Sequence, residues 1–281
     1  SPITRDITGE EYYSTIYSIR ESTLKEGLIW VGSNDGVVSI TKDGGKNWST
    51  ITPKKLPKGG RVESVEPSQF NPAKAYIAVD RHLLGDAKPY IYKTDDYGKS
   101  WELLTTDKNG IPADFTARVM REDPVREGLL YAGTEFGMFV SFNDGKSWKK
   151  FQQNLPVTPI TDLKVFRGDL VLSTMGRGFW ILDNITSLRQ PEANNLAKTP
   201  HLFKPDNTVR YRYPSARSSF PRYPRTSVII DYYIPKGTKG GVQLEILDAN
   251  KNVVSTILSD STKLKSTVKE VEDMNLSQIF R

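Results

Sequence analysis

The chain contains no cysteine and only two histidines, His82 and His201. This excludes a disulfide scaffold, a thiol nucleophile and a cysteine zinc site, and it leaves too few imidazoles for a histidine metal cage. No metal and no cofactor are expected. The chain also lacks any run approaching about eighteen apolar residues, so no transmembrane helix is expected, and its first residues lack the charged-then-apolar plan of a signal peptide. It lacks a strong charge bias as well: 39 Lys and Arg against 33 Asp and Glu give +6, spread along the chain, which does not call for a nucleic acid partner. What is present suits globular folding. A length of 281 residues predicts about two domains, and 37% hydrophobic residues suffice for ordinary cores.

A repeat dominates the sequence. Three segments end alike, in Thr41-Lys42-Asp43-Gly44-Gly45-Lys46-Asn47-Trp48, Thr94-Asp95-Asp96-Tyr97-Gly98-Lys99-Ser100-Trp101 and Ser141-Phe142-Asn143-Asp144-Gly145-Lys146-Ser147-Trp148. Trp48 and Trp101 are 53 residues apart and Trp101 and Trp148 are 47 apart, about the length of one four-stranded propeller blade. Short bursts such as Leu28-Ile29-Trp30-Val31 and Val37-Val38-Ser39-Ile40, split by glycine-rich turns, read as the second and third strands of a blade. Innermost strands are expected at Ile16 to Arg20, Val62 to Val65, Ala117 to Arg121 and Ile160 to Val165, and a fourth strand after each tryptophan. A last copy, Asp169 to Leu188, keeps Gly176, Gly178, Phe179 and Trp180 but has Leu182-Asp183-Asn184 in place of the turn motif, as a degenerate blade would.

The spacing of the motif has a chemical reason. A tight turn needs glycine where the backbone takes positive φ, here Gly45, Gly98 and Gly145, and a short side chain that accepts nearby amide hydrogens, here Asp43, Asp96 and Asn143. Thr41, Thr94 and Ser141 can join that network, and Trp48, Trp101 and Trp148 are expected to turn inward over the seam. The acidic positions recur at one corner of separate blades, so they are expected to be structural rather than catalytic.

These motifs resemble the Asp-box, or bacterial neuraminidase repeat, of sialidases, xyloglucanase-type glycoside hydrolases and sortilin-type receptor propellers. Gly110-Ile111-Pro112-Ala113-Asp114, Arg121-Glu122-Asp123-Pro124-Val125-Arg126, Tyr131-Ala132-Gly133-Thr134-Glu135, Asn154-Leu155-Pro156-Val157 and Gly178-Phe179-Trp180-Ile181-Leu182-Asp183 further resemble a bacterial sortilin-like family often labelled glycosyl hydrolase. The resemblance spans about Thr8 to Ser259. It implies an all-β fold in which four blades of a larger propeller precede the start of an immunoglobulin-like β-sandwich, within a longer secreted or cell-envelope protein. The expected organisation is a lead-in over 1–11, blades over 12–53, 61–106, 112–153 and 157–190, a Pro/Arg/Tyr-rich connector over 191–226, a partial sandwich over 227–260 and a polar tail over 261–281.

If the turns between third and fourth strands line one rim, those between second and third strands open on the other face. That face is expected to carry Asp35, Arg81, His82, Asp86, Glu135 and Arg177. Asp35 and Glu135 are the candidates for a glycosidase pair, which needs two carboxylates about 5 to 9 Å apart. They sit two copies apart, and pairing of Glu135 with Arg177, or capping of the turns, explains the same residues without chemistry. His82 reads as either a solvated loop residue or a general base. The connector interleaves Arg210, Tyr211, Arg212, Tyr213, Arg217, Arg222, Tyr223 and Arg225, a pattern that fits a proline-rich strap or a sugar or single-strand binder. The function expected first is non-catalytic binding of a protein or peptide, with other envelope proteins or the missing blades as partners. A glycoside hydrolase acting on a polysaccharide is the alternative.

Overall fold

The computed structural model describes residues 14–106, 108–194, 199–208, 228–238, 241–258 and 279–280. The lead-in, the connector's cation and aromatic run and nearly all of the tail lie outside them. The chain divides into two units, Ser1–Gln190 and Pro191–Arg281.

The first unit consists of four successive antiparallel sheets. They are β1 (Ile16–Glu21), β2 (Ile29–Ser33), β3 (Val38–Thr41) and β4 (Ser49–Thr50); β5 (Arg61–Pro67), β6 (Ala75–Asp80), β7 (Tyr90–Thr94) and β8 (Glu102–Leu103); β9 (Ala117–Glu122), β10 (Leu130–Thr134), β11 (Gly137–Ser141) and β12 (Lys149–Lys150); then β13 (Ile160–Phe166), β14 (Asp169–Thr174) and β15 (Phe179–Leu182). Strands pair in chain order within each sheet, and the first strands adjoin in turn, β1 with β5, β5 with β9 and β9 with β13. These are successive blades of a β-propeller, with the first strands innermost. The last sheet has three strands where four were expected. Without the turn motif, the chain after β15 runs into the short helix α1 (Thr186–Arg189).

The cores lie between blades. Every residue of β6 is buried, because Ala75, Ile77 and Val79 pack with Trp30, Val38 and Ile40 of the first blade while Tyr76 and Ala78 pack with Leu130 and Phe139 of the third. In the end blades, outer faces stay open, and Phe179 of β15 is 81% exposed. Gly32 has no room for a side chain, since an added Cβ would lie 2.3 Å from Val62 Cγ1 of the next innermost strand.

The repeated turn is built identically three times. The hydroxyl of Thr41, Thr94 or Ser141 accepts the N–H of Gly45, Gly98 or Gly145 at 3.0, 2.9 and 2.9 Å. It donates to Asp43, Asp96 or Asn143 at 2.8, 2.9 and 3.0 Å. That side chain in turn accepts the N–H of Asn47, Ser100 or Ser147, each at 2.9 Å. The Asn47 amide holds the Asp43 carboxyl down at about 2, and the Ser100 hydroxyl does the same for Asp96. The residue before each glycine also takes positive φ: Gly44 at 72°, Tyr97 at 61° and Asp144 at 60°.

The tryptophans then fasten blade to blade. Trp101 Nε1 donates to the Ile51 carbonyl at 2.6 Å and Trp148 Nε1 to the Leu104 carbonyl at 3.0 Å, each acceptor lying just past the last strand of the preceding blade. Trp48 departs from the expected inward packing. It is 47% exposed and its Nε1 donates to Gly45 in its own turn, because among the described residues no sheet precedes it.

In the second unit β16 (His201–Leu202) and β20 (Ile279–Phe280) flank β17 (Tyr232–Tyr233), while β18 (Gln243–Leu247) pairs with β19 (Val253–Leu258). The expected three-strand meander is therefore interrupted: β17 does not pair with β18. A turn closed by the Thr238 N–H on the Pro235 carbonyl, at 3.2 Å, intervenes after β17.

The seam geometry makes a differential prediction. Trp148→Phe, which removes a buried donor and ring volume, should lower unfolding free energy by roughly 2–4 kcal/mol. Trp48→Phe should change it by no more than about 0.5 kcal/mol. Urea unfolding midpoints of the two variants check this.

Candidate functional site

Each innermost strand carries a β-bulge near its start. Pairing skips Tyr17 between Ile16↔Ser33 and Ser18↔Gly32, and Glu63 between Val62↔Val79 and Ser64↔Ala78. It likewise skips Arg118 between Ala117↔Thr134 and Val119↔Gly133, and Thr161 between Ile160↔Thr174 and Asp162↔Ser173. A bulged residue leaves the period-two alternation that sends its neighbours into the interblade cores, so its side chain is re-aimed. The four equivalent positions hold a phenol, a carboxylate, a guanidinium and a hydroxyl, at the end of the axis nearest the turns between second and third strands.

Three of these groups meet partners across blades, while the Thr161 hydroxyl pairs with Ser173 of its own blade at 2.8 Å. Arg118 Nη1 lies 3.7 Å from Glu63 Oε1 and 3.8 Å from Asp80 Oδ2, and its Nε donates to Glu135 Oε1 at 2.7 Å while Nη2 contacts the same oxygen. Arg61 Nε is 3.6 Å from Glu63, its Nη1 donates to the Tyr17 hydroxyl at 3.2 Å, and the guanidinium sits 4.8 Å from the Tyr17 ring centre. Asp80 accepts the His82 backbone N–H at 2.8 Å and faces His82 Nδ1 at 2.7 Å. Burial pushes the Glu63 carboxyl up, Arg61 and Arg118 pull it down, and nearby Asp80 adds to the rise.

Of the residues expected on this face, the cluster takes in Glu135 and His82, linked through Arg118 and Asp80. Glu135 pairs with Arg118 rather than Arg177, because Arg118 stands directly below it on the neighbouring strand of the same blade. Arg81 is structural: its Nη1 donates to the carbonyls of Pro57, Lys58 and Gly59 at 2.8, 2.6 and 2.6 Å, and its Nε to Asp86 at 3.0 Å. Asp86 also accepts the Tyr90 hydroxyl at 2.7 Å, and these bonds outweigh burial to hold its carboxyl below the usual range. Asp35 stands apart in the first blade, bonded by Ser33 and by Ser14 at 2.7 Å. Burial opposes its ionisation, but those hydroxyls hold it low. Asp35 and Glu135 share no partner among the described residues. Arg177 is exposed, and its carbonyl accepts Trp180 Nε1 at 3.1 Å.

The central members, Glu63, Asp80, Arg61 and Arg118, lie on strands, where loop-based reasoning does not look. Their one sequence signal is charge inside otherwise apolar strand segments. Among the described residues no group of three His, Asp or Glu is placed to hold a metal ion, and no helix is long and apolar enough to cross a membrane.

No family model matches the chain. Over 112 residues it is 32% identical to vacuolar protein sorting/targeting protein 10 of Laccaria bicolor, a stretch covering 39% of this chain and 7% of that protein. The chain thus spans a small fraction of that relative. Among solved structures it is similar to YCF48 bound to D1 peptide, with TM-score 0.47 and 19% identity over 61% of this chain and 52% of that one. It is also similar to the Niastella koreensis GH74 enzyme, with TM-score 0.48 and 14% identity over 61% of this chain and 28% of that one. A third similarity is to the extracellular domain of the putative hybrid two component system BT3049 from B. thetaiotaomicron, with TM-score 0.43 and 16% identity over 60% and 20% of the two chains.

Arg118 is the cluster's common counter-charge, so Arg118→Met should cost roughly 3–5 kcal/mol at neutral pH by stranding buried carboxylates. Losing the guanidinium removes one of the charges that pull the Glu63 carboxyl down, so burial raises it further. A raised acid favours the fold at pH below its unfolded value and loses that advantage as pH rises through the folded value. The deficit of Arg118→Met relative to the natural chain should therefore be smaller at pH 4.5 than at pH 8 in paired urea titrations.

Proposed function

We propose that this chain forms part of a non-catalytic Asp-box propeller that binds a protein or peptide on the face of the turns between second and third strands, in a secreted or cell-envelope protein. The reading rests above all on the burial and neutralisation of the axial carboxylates. Glu63 and Asp80 are close enough, through Arg118, to suit a glycosidase pair, yet their side chains are only 8% and 2% exposed. Hydrolysis of a polysaccharide needs an acid and a base opening onto one cleft that a sugar chain can enter. Glu135 is committed to Arg118, and Asp35 to two serines. What the face presents to solvent is scattered, including Arg177 and the half-exposed ring of Phe136, and scattered contacts on rigid loops suit binding. Similarity to a protein sorting/targeting protein points the same way.

In this reading β16 to β20 belong to the opening of an immunoglobulin-like sandwich. Further blades come from the rest of the protein or from a separate chain, and the partner is a protein or peptide of the envelope. A glycoside hydrolase is the alternative, favoured by one observation: burial raises Glu63, as a general acid requires.

Two measurements separate them. Xyloglucan and sialoside panels should release no sugar above blank with the natural chain. Peptides enriched by display on the immobilised chain should lose at least about tenfold in affinity, or about 1.4 kcal/mol, on Arg177→Glu. Sugar release that Glu135→Gln abolishes would reverse the ranking.

A further inference from the structure

The innermost strands also end together, at the opposite mouth of the axis from the bulges. There the ends of β1, β5, β9 and β13 enclose a cavity of about 200 Å³, lined among others by Arg20, Glu66, Arg121, Glu122 and Lys164. Its charges are layered. Glu122 is 2% exposed in its side chain; Oε1 accepts the Tyr76 hydroxyl at 3.1 Å and the Gly128 N–H at 3.2 Å and lies 3.6 Å from Lys74 Nζ, while Oε2 is buried with no hydrogen-bond partner. The Glu66 side chain is 14% exposed and faces Arg121 Nη1 at 3.7 Å, beyond hydrogen-bond distance. Arg121 is engaged elsewhere, with Nη2 on Asp162 at 2.7 Å, Nε on the Leu163 carbonyl at 3.1 Å and Nη1 on the Met120 carbonyl at 2.9 Å. Arg20 and Lys164 are exposed and belong to the rim.

We propose that this cavity is a second ligand site, taking the lysine or arginine side chain of a peptide against Glu66 and Glu122. Glu122 Oε2, buried without a donor, beside Glu66, whose ion-pair partner Arg121 stands beyond hydrogen-bond distance at 3.7 Å, suits a donor that carries positive charge. The volume suits one long side chain. The groups facing Glu66 are Arg121 of β9, Arg20 of β1, Glu122 of β9 and Asp162 of β13, and burial outweighs the two arginines to push its carboxyl up to about 7. An entering ammonium or guanidinium supplies the donor that Glu122 Oε2 lacks and pairs with Glu66, so its affinity follows the ionisation of Glu66.

The test uses the whole chain and three capped peptides, acetyl-Gly-Gly-Lys-Gly-Gly-amide and the versions with Gln or Glu at the centre, in NMR shift titrations at pH 6 and pH 8. Lysine, with an ordinary pKa near about 10.4, stays charged throughout, while ionised Glu66 rises from about one-tenth to about nine-tenths. The lysine peptide should bind about tenfold more tightly at pH 8 than at pH 6, and at least tenfold more tightly than the glutamine peptide at pH 8. Glu66→Gln should remove the pH dependence and weaken binding, Glu122→Gln should weaken it while keeping the carbonyl that Tyr76 and Gly128 use, and Arg177→Glu on the opposite face should leave it unchanged. Thermal unfolding confirms that each variant is folded; should Glu122→Gln fail to fold, Glu66→Gln alone decides. Equal binding of all three peptides, preference for the glutamate peptide, or a pH dependence that survives Glu66→Gln overturns the proposal. Lysine binding lost in Arg177→Glu but not in Glu66→Gln overturns it while leaving the binding-scaffold reading intact. Absence of binding by all three overturns this site alone, since peptides selected on the other face are measured separately.

Discussion

A hydroxyl that accepts backbone amide hydrogens while donating to the carboxylate or carboxamide oxygen two residues on is the interaction from which the rest of the first unit follows. In Thr41, Thr94 and Ser141 it fixes the turn after the third strand, and the fixed turn sets the position of an indole five to seven residues further along the chain. The indole of Trp101 or Trp148 then donates to the chain just past the preceding blade's last strand. A local hydrogen-bond pattern is thereby converted into a contact between sheets, and the interblade cores of Trp30 with Val79, and of Tyr76 with Phe139, form on either side of it.

The third copy of this turn carries a further load. Asp144 holds positive φ without being glycine, and its carboxylate accepts Tyr76 at 2.6 Å and Lys93 at 3.0 Å and lies 3.1 Å from Lys74. Burial would raise this carboxyl, and those three donors keep it low. Backbone strain of roughly 1–3 kcal/mol at such a position persists where surrounding contacts over-determine it, and here the contacts tie the third blade to the second. The axis shows the same economy. One inserted residue per innermost strand disrupts the ladder locally and in exchange gives the first three blades one polar group each that reaches a neighbour.

The strand plan was legible because its signals are local: glycine at positive φ, short acceptor side chains and alternating apolar residues lie within a few positions of one another. The exposure of Trp48 was not legible, because the motif around it matches those of Trp101 and Trp148, and only its neighbour in space differs. The candidate site was half legible. Glu135 and His82 could be found from turn positions, but a bulge changes pairing without changing composition, so nothing in Arg61-Val62-Glu63-Ser64 marks Glu63 as the residue left out. The cavity at the other mouth escaped for a related reason. Glu66 and Glu122 read as solvated strand ends until four strands are brought to one axis.

The fastening between blades has a direction. At the two seams joined this way, the later sheet offers an indole N–H and the earlier one a carbonyl beside an aliphatic side chain, Ile51 or Leu104, so neighbours associate in a single orientation, as links in a chain with unlike ends. Such a unit is a cassette: a copy that carries both ends, inserted at either of these seams, meets the same hook on one side and the same eye on the other. An insertion there then requires no rewriting of the joints, only of whatever groups meet at the hub.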